Sequence, residues 1–491
     1  MSSKHNKQLS LEWKPDRASK VSLVKQIVGY VKHQVLKGDW LCGDILPPQR
    51  TLAKTFEVNR STVVAALTEL SLEGVIESTV GKGTVIANNS WSFLFSSPTP
   101  DWGNYIDQGF HKSNLPTIQA INEYEFIEDI IRLSTGEISS SLMPHEAFST
   151  VLSKLAKNPK PYCYMEPLGL YDLRLALCNY LKYLGLDITP KEILIVSGSL
   201  QALQLISLSL LGNESKVFVE SHSYAKSLNV FDFSGVEMHA VPVDKNGAIP
   251  WMINTSSIDG PSILYTIPTF HNPTGITMNL NRRQEVLDWC KNHNFPIIED
   301  DAYGELYFDT PPPAPIKTLD DSGNVLYLGS VSKSIAPGFR IGWIVGPESI
   351  IERLGDIKMQ TDYGASTLSQ WFMTYFINDG HYENHLTVLR QTLKERCQLM
   401  LRILEDHFSD IASWNTPAGG FYIWLKFKQP ISTKKLFDRA LGEKVLINPG
   451  YIYGFNENYY VRLSYCYESA DTMEKGLRAL SVIAHQLMEE L

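Results

Sequence analysis

Gly329-Ser330-Val331-Ser332-Lys333-Ser334-Ile335-Ala336-Pro337-Gly338-Phe339-Arg340-Ile341-Gly342 decides how the larger part of this chain is read. A lysine follows two small hydroxyl residues and is followed, seven residues on, by an arginine. An amine can bond covalently to a carbonyl compound. Hydroxyls and a guanidinium fork suit the oxygens of a phosphate. Apolar runs flank the stretch, Val325–Leu328 before it and Arg340–Val345 overlapping its end. Both spacings predict short buried strands.

Further out the same pattern repeats. Glu192–Val196, Lys216–Glu220, Ser262–Ile267 and Phe295–Glu299 are short apolar runs separated by helical spacing. Strands alternating with helices predict an α/β body with a mostly parallel, doubly wound sheet. Val196-Ser197-Gly198-Ser199-Leu200-Gln201 follows a strand and opens a helix. Its amide N–H groups, those of Ser199 and Leu200 among them, and the Ser199 hydroxyl form a phosphate cradle. Ser330, Ser332 and Arg340 make a second set of phosphate contacts beside Lys333.

The remaining pieces fit an aromatic ring. Asp300 closes the run Phe295–Glu299, and a carboxylate there can keep a pyridine nitrogen protonated, so that the ring acts as an electron sink. Tyr303, and Asn272 in His271-Asn272-Pro273-Thr274-Gly275, can bond a phenolic oxygen. Tyr224, in Glu220-Ser221-His222-Ser223-Tyr224, is placed to stack on a ring face. Each feature alone has an ordinary reading as a turn, a cap or a solvated side chain. Their joint occurrence points to a pyridoxal phosphate (PLP) site.

The first 88 residues follow a different pattern. Leu23, Ile27, Tyr30, Val31, Gln34 and Val35 predict an amphipathic helix over about 22–36. A short helix opens at Leu46-Pro47-Pro48, and a third follows with Asn59 as its N-cap and Val63, Ala66, Leu67 and Leu70 as its buried stripe. Val75–Ser78 and Thr84–Ala87, joined through Gly81-Lys82-Gly83, make a hairpin. This is the pattern of a winged helix-turn-helix. Its third helix would enter the major groove of double-stranded DNA with Asn59, Arg60, Ser61 and Thr62 near the bases. Arg60 has the fork to pair with guanine. Arg50 would reach the backbone, and Lys82 with Gly83 would form the wing tip.

Charge distribution agrees with that division. The chain of 491 residues has net charge -9, yet residues 1–88 hold 12 Lys and Arg against 8 Asp and Glu. A basic head on an acidic body fits a DNA-contacting module. No apolar run approaches the ~18 residues of a membrane span, and the N-terminus predicts no secretory signal. The six cysteines are scattered, which argues for reduced thiols in a cytosol and against a disulfide framework or a zinc site. The expected division is a polar tail (1–20), a head (21–88), a partly docked aromatic linker (89–125) and a body (126–491).

The head motifs, from Leu46-Pro47-Pro48-Gln49-Arg50 through Val58-Asn59-Arg60-Ser61-Thr62-Val63 to Gly81-Lys82-Gly83-Thr84-Val85, resemble the GntR family of bacterial regulators. From about 126 to 485 the chain resembles class I aminotransferases of PLP fold type I. Gly169-Leu170-Tyr171, Pro417-Ala418-Gly419-Gly420-Phe421 and Val461-Arg462-Leu463-Ser464 extend the match. His222 departs from the family, which usually has proline before the stacking tyrosine. Together the halves resemble the MocR subfamily of regulators. That resemblance implies a smaller α+β subdomain beside the main sheet. It also implies pyridoxal 5'-phosphate on Lys333 and an amino-acid-like effector that exchanges with Lys333 by aldimine chemistry while Arg462 grips its carboxylate. It further implies a head-to-tail homodimer in which Tyr164 reaches the partner's cofactor phosphate, operator DNA as the macromolecular partner, and a bacterial cytoplasmic setting. An active transaminase with an accessory DNA-binding head remains the alternative.

Overall fold

The computed structural model describes residues 13–19, 21–36, 39–40, 43–72, 75–79, 83–87, 114–158, 160–161, 163–228, 230–231, 236–254, 260–454 and 459–490. The chain divides into two compact units, residues 1–109 and 110–491.

The first unit contains α1 (Leu23–Leu36), α2 (Gln49–Thr55), α3 (Arg60–Leu72), β1 (Ile76–Thr79) and β2 (Gly83–Ile86), with β1 and β2 antiparallel. The expected stripe of α3 faces inward: Val63, Ala66, Leu67 and Leu70 are all buried, against Ile27, Val28 and Val31 of α1. Pro48 precedes α2 as its N-cap rather than lying in its first turn. Part of the stretch read as a polar tail packs on this unit. Trp13 stacks on Tyr30 at 4.4 Å and meets Phe56 edge-on, and Lys14 pairs with Glu57. The physical reason is the aromatic surface of Trp13, which an average over polar neighbours hides.

The second unit is built on a seven-stranded sheet. Its strands are β3 (Ile193–Val196), β4 (Lys216–Glu220), β5 (Glu237–Val241), β6 (Ser262–Thr266), β7 (Ile297–Asp300), β8 (Val325–Ser330) and β9 (Gly342–Val345). They lie side by side in the order β3-β9-β8-β7-β6-β4-β5. The sheet is mixed: β9 runs antiparallel to both β3 and β8, while the other neighbouring pairs are parallel. The strand β5 was not anticipated. It stands at the edge with Glu237 exposed, so it lacks the continuous apolar run that marked its neighbours.

A smaller antiparallel sheet of β10 (Ala412–Trp414), β11 (Tyr422–Phe427), β12 (Asn448–Pro449) and β13 (Tyr460–Ser464) lies in the order β10-β11-β13-β12. One apolar core joins it to the main sheet through residues such as Phe421, Ile423 and Leu463. Helix α4 (Pro116–Tyr124) lies within the stretch read as linker. Its Ile121 is buried in that same core, and Thr117 bonds Tyr451 at 2.7 Å.

Candidate ligand site of the body and surface of the head

Three strand ends of the main sheet supply the site. β7 ends at Asp300, β8 runs into Ser330-Val331-Ser332-Lys333, and β3 runs into the turn Ser197-Gly198 that opens the helix α5 (Ser199–Leu210). Strand alternation sorts two adjacent acids. Glu299 turns to the far face, where it accepts from the amides of Ile316 and Lys317 at 2.7 and 2.8 Å. Asp300 turns to the near face, where it accepts from Tyr265 Oη at 2.8 Å and the Ala302 amide at 3.3 Å. Burial pushes the Asp300 carboxyl up, while the hydrogen bonds from Tyr265 and Ala302 pull it down. A cation beside it would stabilise its charged form.

Lys333 Nζ donates to the Gly136 carbonyl at 2.6 Å. Gly136 has little room for more: a Cβ there would lie 2.5 Å from Tyr422 Oη and 3.5 Å from Lys333 Nζ. Asn272 is buried between two predicted partners. Its Nδ2 donates to Tyr303 Oη at 3.2 Å, and its Oδ1 accepts from Arg462 Nη1 at 2.8 Å. Its backbone carbonyl accepts from the Tyr224 amide at 3.2 Å, which ties the stacking residue to the same loop. Arg462 also donates to the Ser134 carbonyl at 2.6 Å and lies 4.0 Å above the Tyr422 ring. Tyr422 in turn bonds Tyr303 at 3.2 Å. Tyr422 and Tyr453 flank Arg462 and were not singled out from the sequence, because aromatic residues at strand positions read as core.

The phosphate end is assembled from backbone and hydroxyls. Ser330 Oγ donates to Ser332 Oγ at 2.9 Å and accepts from the Ser332 amide at 3.1 Å. Arg340 has φ +53° and donates to the carbonyls of Ser197 and Pro337. Gly198 has φ +86°, and a Cβ on it would meet Arg340 Nη2 at 2.8 Å. Ser199 and Leu200 begin α5, Ser199 half-buried and Leu200 exposed. Amides at a helix start, two serine hydroxyls and a guanidinium therefore converge, which suits a dianionic group. A buried carboxylate, an amine and a phosphate cradle thus meet the needs of a phosphorylated pyridine aldehyde, so the residues present fit the group that the sequence implied.

A cavity of about 690 Å³ opens over this set, lined by Lys333, Asn272, Tyr224 and Arg462. Residues outside the expected set also line it: Asn122, Glu125 and Phe126 near the end of α4, and Ser134 and Glu137 after it. Tyr164 does not line it. It is 81% exposed, with its ring 4.8 Å from that of Tyr363. His222 packs edge-on to Trp424 and Tyr460, so two aromatic rings stand beside the residue that replaces the expected proline.

In the head, Arg50, Asn59, Arg60 and Ser61 are exposed and Thr62 is half-buried. The Asn59 carbonyl accepts from the Thr62 amide at 3.0 Å, which starts α3. Arg60 Nη2 donates to Gln49 Oε1 at 3.3 Å, linking the starts of α2 and α3. Gly83 begins β2 with φ +84°. Lys82 lies outside the described residues.

Comparison with known proteins divides the chain in the same two parts. Residues 128–480 match the family described as aminotransferase class I and II, and residues 23–86 match bacterial regulatory proteins of the gntR family. The uncharacterized HTH-type transcriptional regulator YisV of Bacillus subtilis (strain 168) is 45% identical over 478 residues, covering 97% of this chain and 99% of that protein. The HTH-type transcriptional regulator NorG of Staphylococcus aureus (strain N315) is 37% identical over 436 residues, covering 88% of this chain and 97% of NorG. Among solved structures, a kynurenine aminotransferase from Pyrococcus horikoshii matches with a TM-score of 0.74 at 30% identity, over 80% of this chain and 100% of that one. The α-aminoadipate aminotransferase LysN from Thermus thermophilus, complexed with N-(5'-phosphopyridoxyl)-L-leucine, matches with a TM-score of 0.73 at 26% identity, over 80% of this chain and 100% of that one.

Proposed function

The chain belongs to the aminotransferase class I and II family and to the HTH-type regulators that join such a body to a gntR-family head, and from that premise we propose that it is a PLP-dependent transcriptional regulator. The body senses PLP, an amino-acid-like effector, or both, at Lys333. The observation that carries this is the convergence of Lys333, Asn272 and Arg462 on one cavity in a chain whose other unit exposes the reading end of a helix-turn-helix.

PLP, when bound, supplies a carbonyl for amines and an electron-withdrawing ring. The chain's own residues bind and orient it. Asp300, fixed by Tyr265 and Ala302, holds a proton at the ring nitrogen. Ser199, Leu200, Ser330, Ser332 and Arg340 bind the phosphate, and Tyr224 covers the ring face. Asn272 and Tyr303 orient the phenolic oxygen. Lys333 gives up its bond to Gly136 when its amine is engaged. Arg462, with its guanidinium carbon 4.0 Å from the Tyr422 ring centre, presents its fork to a carboxylate.

In the head, Arg60, Ser61, Thr62 and Asn59 read operator bases, while Arg50, Lys82 and Gly83 contact the sugar-phosphate backbone. The working form is a head-to-tail homodimer in the bacterial cytoplasm. The exposure of Tyr164 away from its own cavity supports a role at the partner's phosphate. An effector switches the protein only through unequal affinity for two arrangements of the heads.

A second reading, an active transaminase with an accessory head, draws support from the completeness of the amine, carboxylate and arginine set. Retardation of the gene's own upstream DNA, measured with and without PLP and amino compounds, separates the two. Ligand-dependent retardation without 2-oxo acid production is expected. Sustained 2-oxo acid production with no retardation of that DNA overturns the regulator.

A further inference from the structure

The charges lining the cavity do not balance once the expected ligands are counted. Among the described residues that line it, four are charged: Glu125, Glu137, Lys333 and Arg462. Arg462 is committed to a carboxylate, while Lys333 holds the cofactor only until an incoming amine displaces it. The cofactor phosphate has its own cation in Arg340, which does not line the cavity. Glu125 and Glu137 then face the ligand with the displaced Lys333 as the one lining cation left to them, and Arg132, outside the lining, also acts on Glu137. A bound ligand that excludes water from them raises the cost of that imbalance unless it brings a positive charge.

The surroundings hold Glu125 by its side chain and Glu137 by its backbone, whose carbonyl accepts from Cys466 Sγ at 3.0 Å. Glu125 Oε1 accepts from Thr135 Oγ1 at 2.6 Å, and Thr135 is 1% exposed. Glu137 sits one residue beyond Gly136, whose carbonyl holds Lys333. Burial pushes the Glu137 carboxyl up and the like charge of Glu125 adds to it, while Lys333 and Arg132 pull it down, so the two acids and Lys333 share one electrostatic neighbourhood. Ser134 provides an independent sign of a missing ligand group. It lines the same cavity and is 2% exposed, and its Oγ has no hydrogen-bond partner among the described residues. Buried hydroxyls are ordinarily satisfied.

We propose that the effector is a diamino-carboxylate: one amine forms a C–N bond at the cofactor's carbonyl carbon as the Lys333 C–N bond there breaks and Lys333 leaves as the free amine, the carboxylate lies on Arg462, and a second, distal ammonium is held by Glu137 and Glu125, with Ser134 completing its contacts. This rests on the sensing role proposed above and names the ligand class for it. The cavity volume of about 690 Å³ accommodates a ligand of that size.

The experiment uses the full-length, PLP-loaded protein and titrates L-ornithine and L-lysine against L-norleucine, which has no distal charge. Visible absorbance of the cofactor reports binding. One of the two diamino acids is expected to bind at least about 10-fold more tightly than norleucine, the scale of one charge-assisted contact. In Glu137→Gln and Glu125→Gln proteins, which keep shape and remove charge, that preference is expected to fall toward one. Equal or tighter binding of norleucine overturns the proposal. So does a diamino-acid preference that survives in both variants, which would assign the cation site elsewhere. If norleucine, ornithine, lysine and a panel of other amino compounds all leave the absorbance unmoved, the sensing of an amino-acid-like effector fails, PLP alone is left as the sensed ligand, and this inference falls.

Discussion

The head and the body carry their functional side chains in opposite ways. In the head, Asn59, Arg60 and Ser61 are consecutive and exposed, and they stand at one helix start. In the body, Asp300, Asn272 and Arg462 are buried, and the Arg462 bond to Ser134 spans 328 positions of sequence. A surface that meets DNA needs donors in water, ready for phosphate and base edges. A site that fixes a small ring needs donors already desolvated and held by one another. The head can therefore lose a functional side chain and keep its fold, whereas Asn272, Asp300, Tyr303, Ser330 and Arg462 of the body are also buried in its interior.

The largest effect that would test this contrast comes from Lys333→Ala. Borohydride reduction followed by mass spectrometry is expected to find no pyridoxyl adduct on the variant, against full labelling of the parent. A labelled variant would place the covalent attachment elsewhere. Next is Arg60→Ala, expected to weaken operator binding by about 5- to 150-fold, the 1–3 kcal/mol of a good base contact. Cofactor absorbance and melting temperature serve as its controls. A fall in melting temperature matching the loss of binding would break the contrast from the head's side.

Gly198→Ala tests the body. The added Cβ meets Arg340 at 2.8 Å and sits at φ +86°. Both PLP affinity and urea stability are expected to drop, the latter by about 1–3 kcal/mol. An unaltered unfolding midpoint with weaker PLP binding would show that site and fold are separable there too.

A further effect sharpens the contrast through pH. Burial pushes the Asp301 carboxyl up to about 8, and the like charge of Glu299 adds to the shift. The folded chain then keeps a proton that the unfolded chain releases at about pH 4. Stability from that proton is full below about pH 4, declines as pH rises and is exhausted above about pH 8. Asp301→Asn is expected to flatten this part of the decline in the urea midpoint. Parallel declines in parent and variant would remove Asp301 as its source.

The parts of the site that were legible in sequence are those where chemistry and backbone geometry coincide locally. Lys333 lies between hydroxyls and an arginine, Asp300 closes an apolar strand, and Asn272 sits in a Pro-Thr-Gly turn. The α3 stripe was equally legible because helical spacing repeats within 8 residues, Val63 to Leu70. Glu125, Ser134 and Glu137 gave no such signal. They become neighbours of Lys333 only when the chain around α4 folds onto strand ends about 200 residues later, as the 197-residue separation of Gly136 and Lys333 illustrates. Tyr422 and Trp13 were hidden for a related reason, since an aromatic residue has the same pattern in a core, a site or a surface stack.

The antiparallel strand β9 also has a consequence for the order in which the body assembles. It is the piece that fastens β3 to β8, pairing Gly342 with Val196 on one side and with Ser330 on the other. The pair with Ser330 spans only 12 positions, but until the pair with Val196, 146 positions away, closes, the turn after β3 and the lysine after β8 are not held together. Contacts this distant in sequence form slowly relative to local helices. During refolding, helical signal should therefore recover before the colour of attached PLP, which makes the cofactor a clock for completion of the sheet.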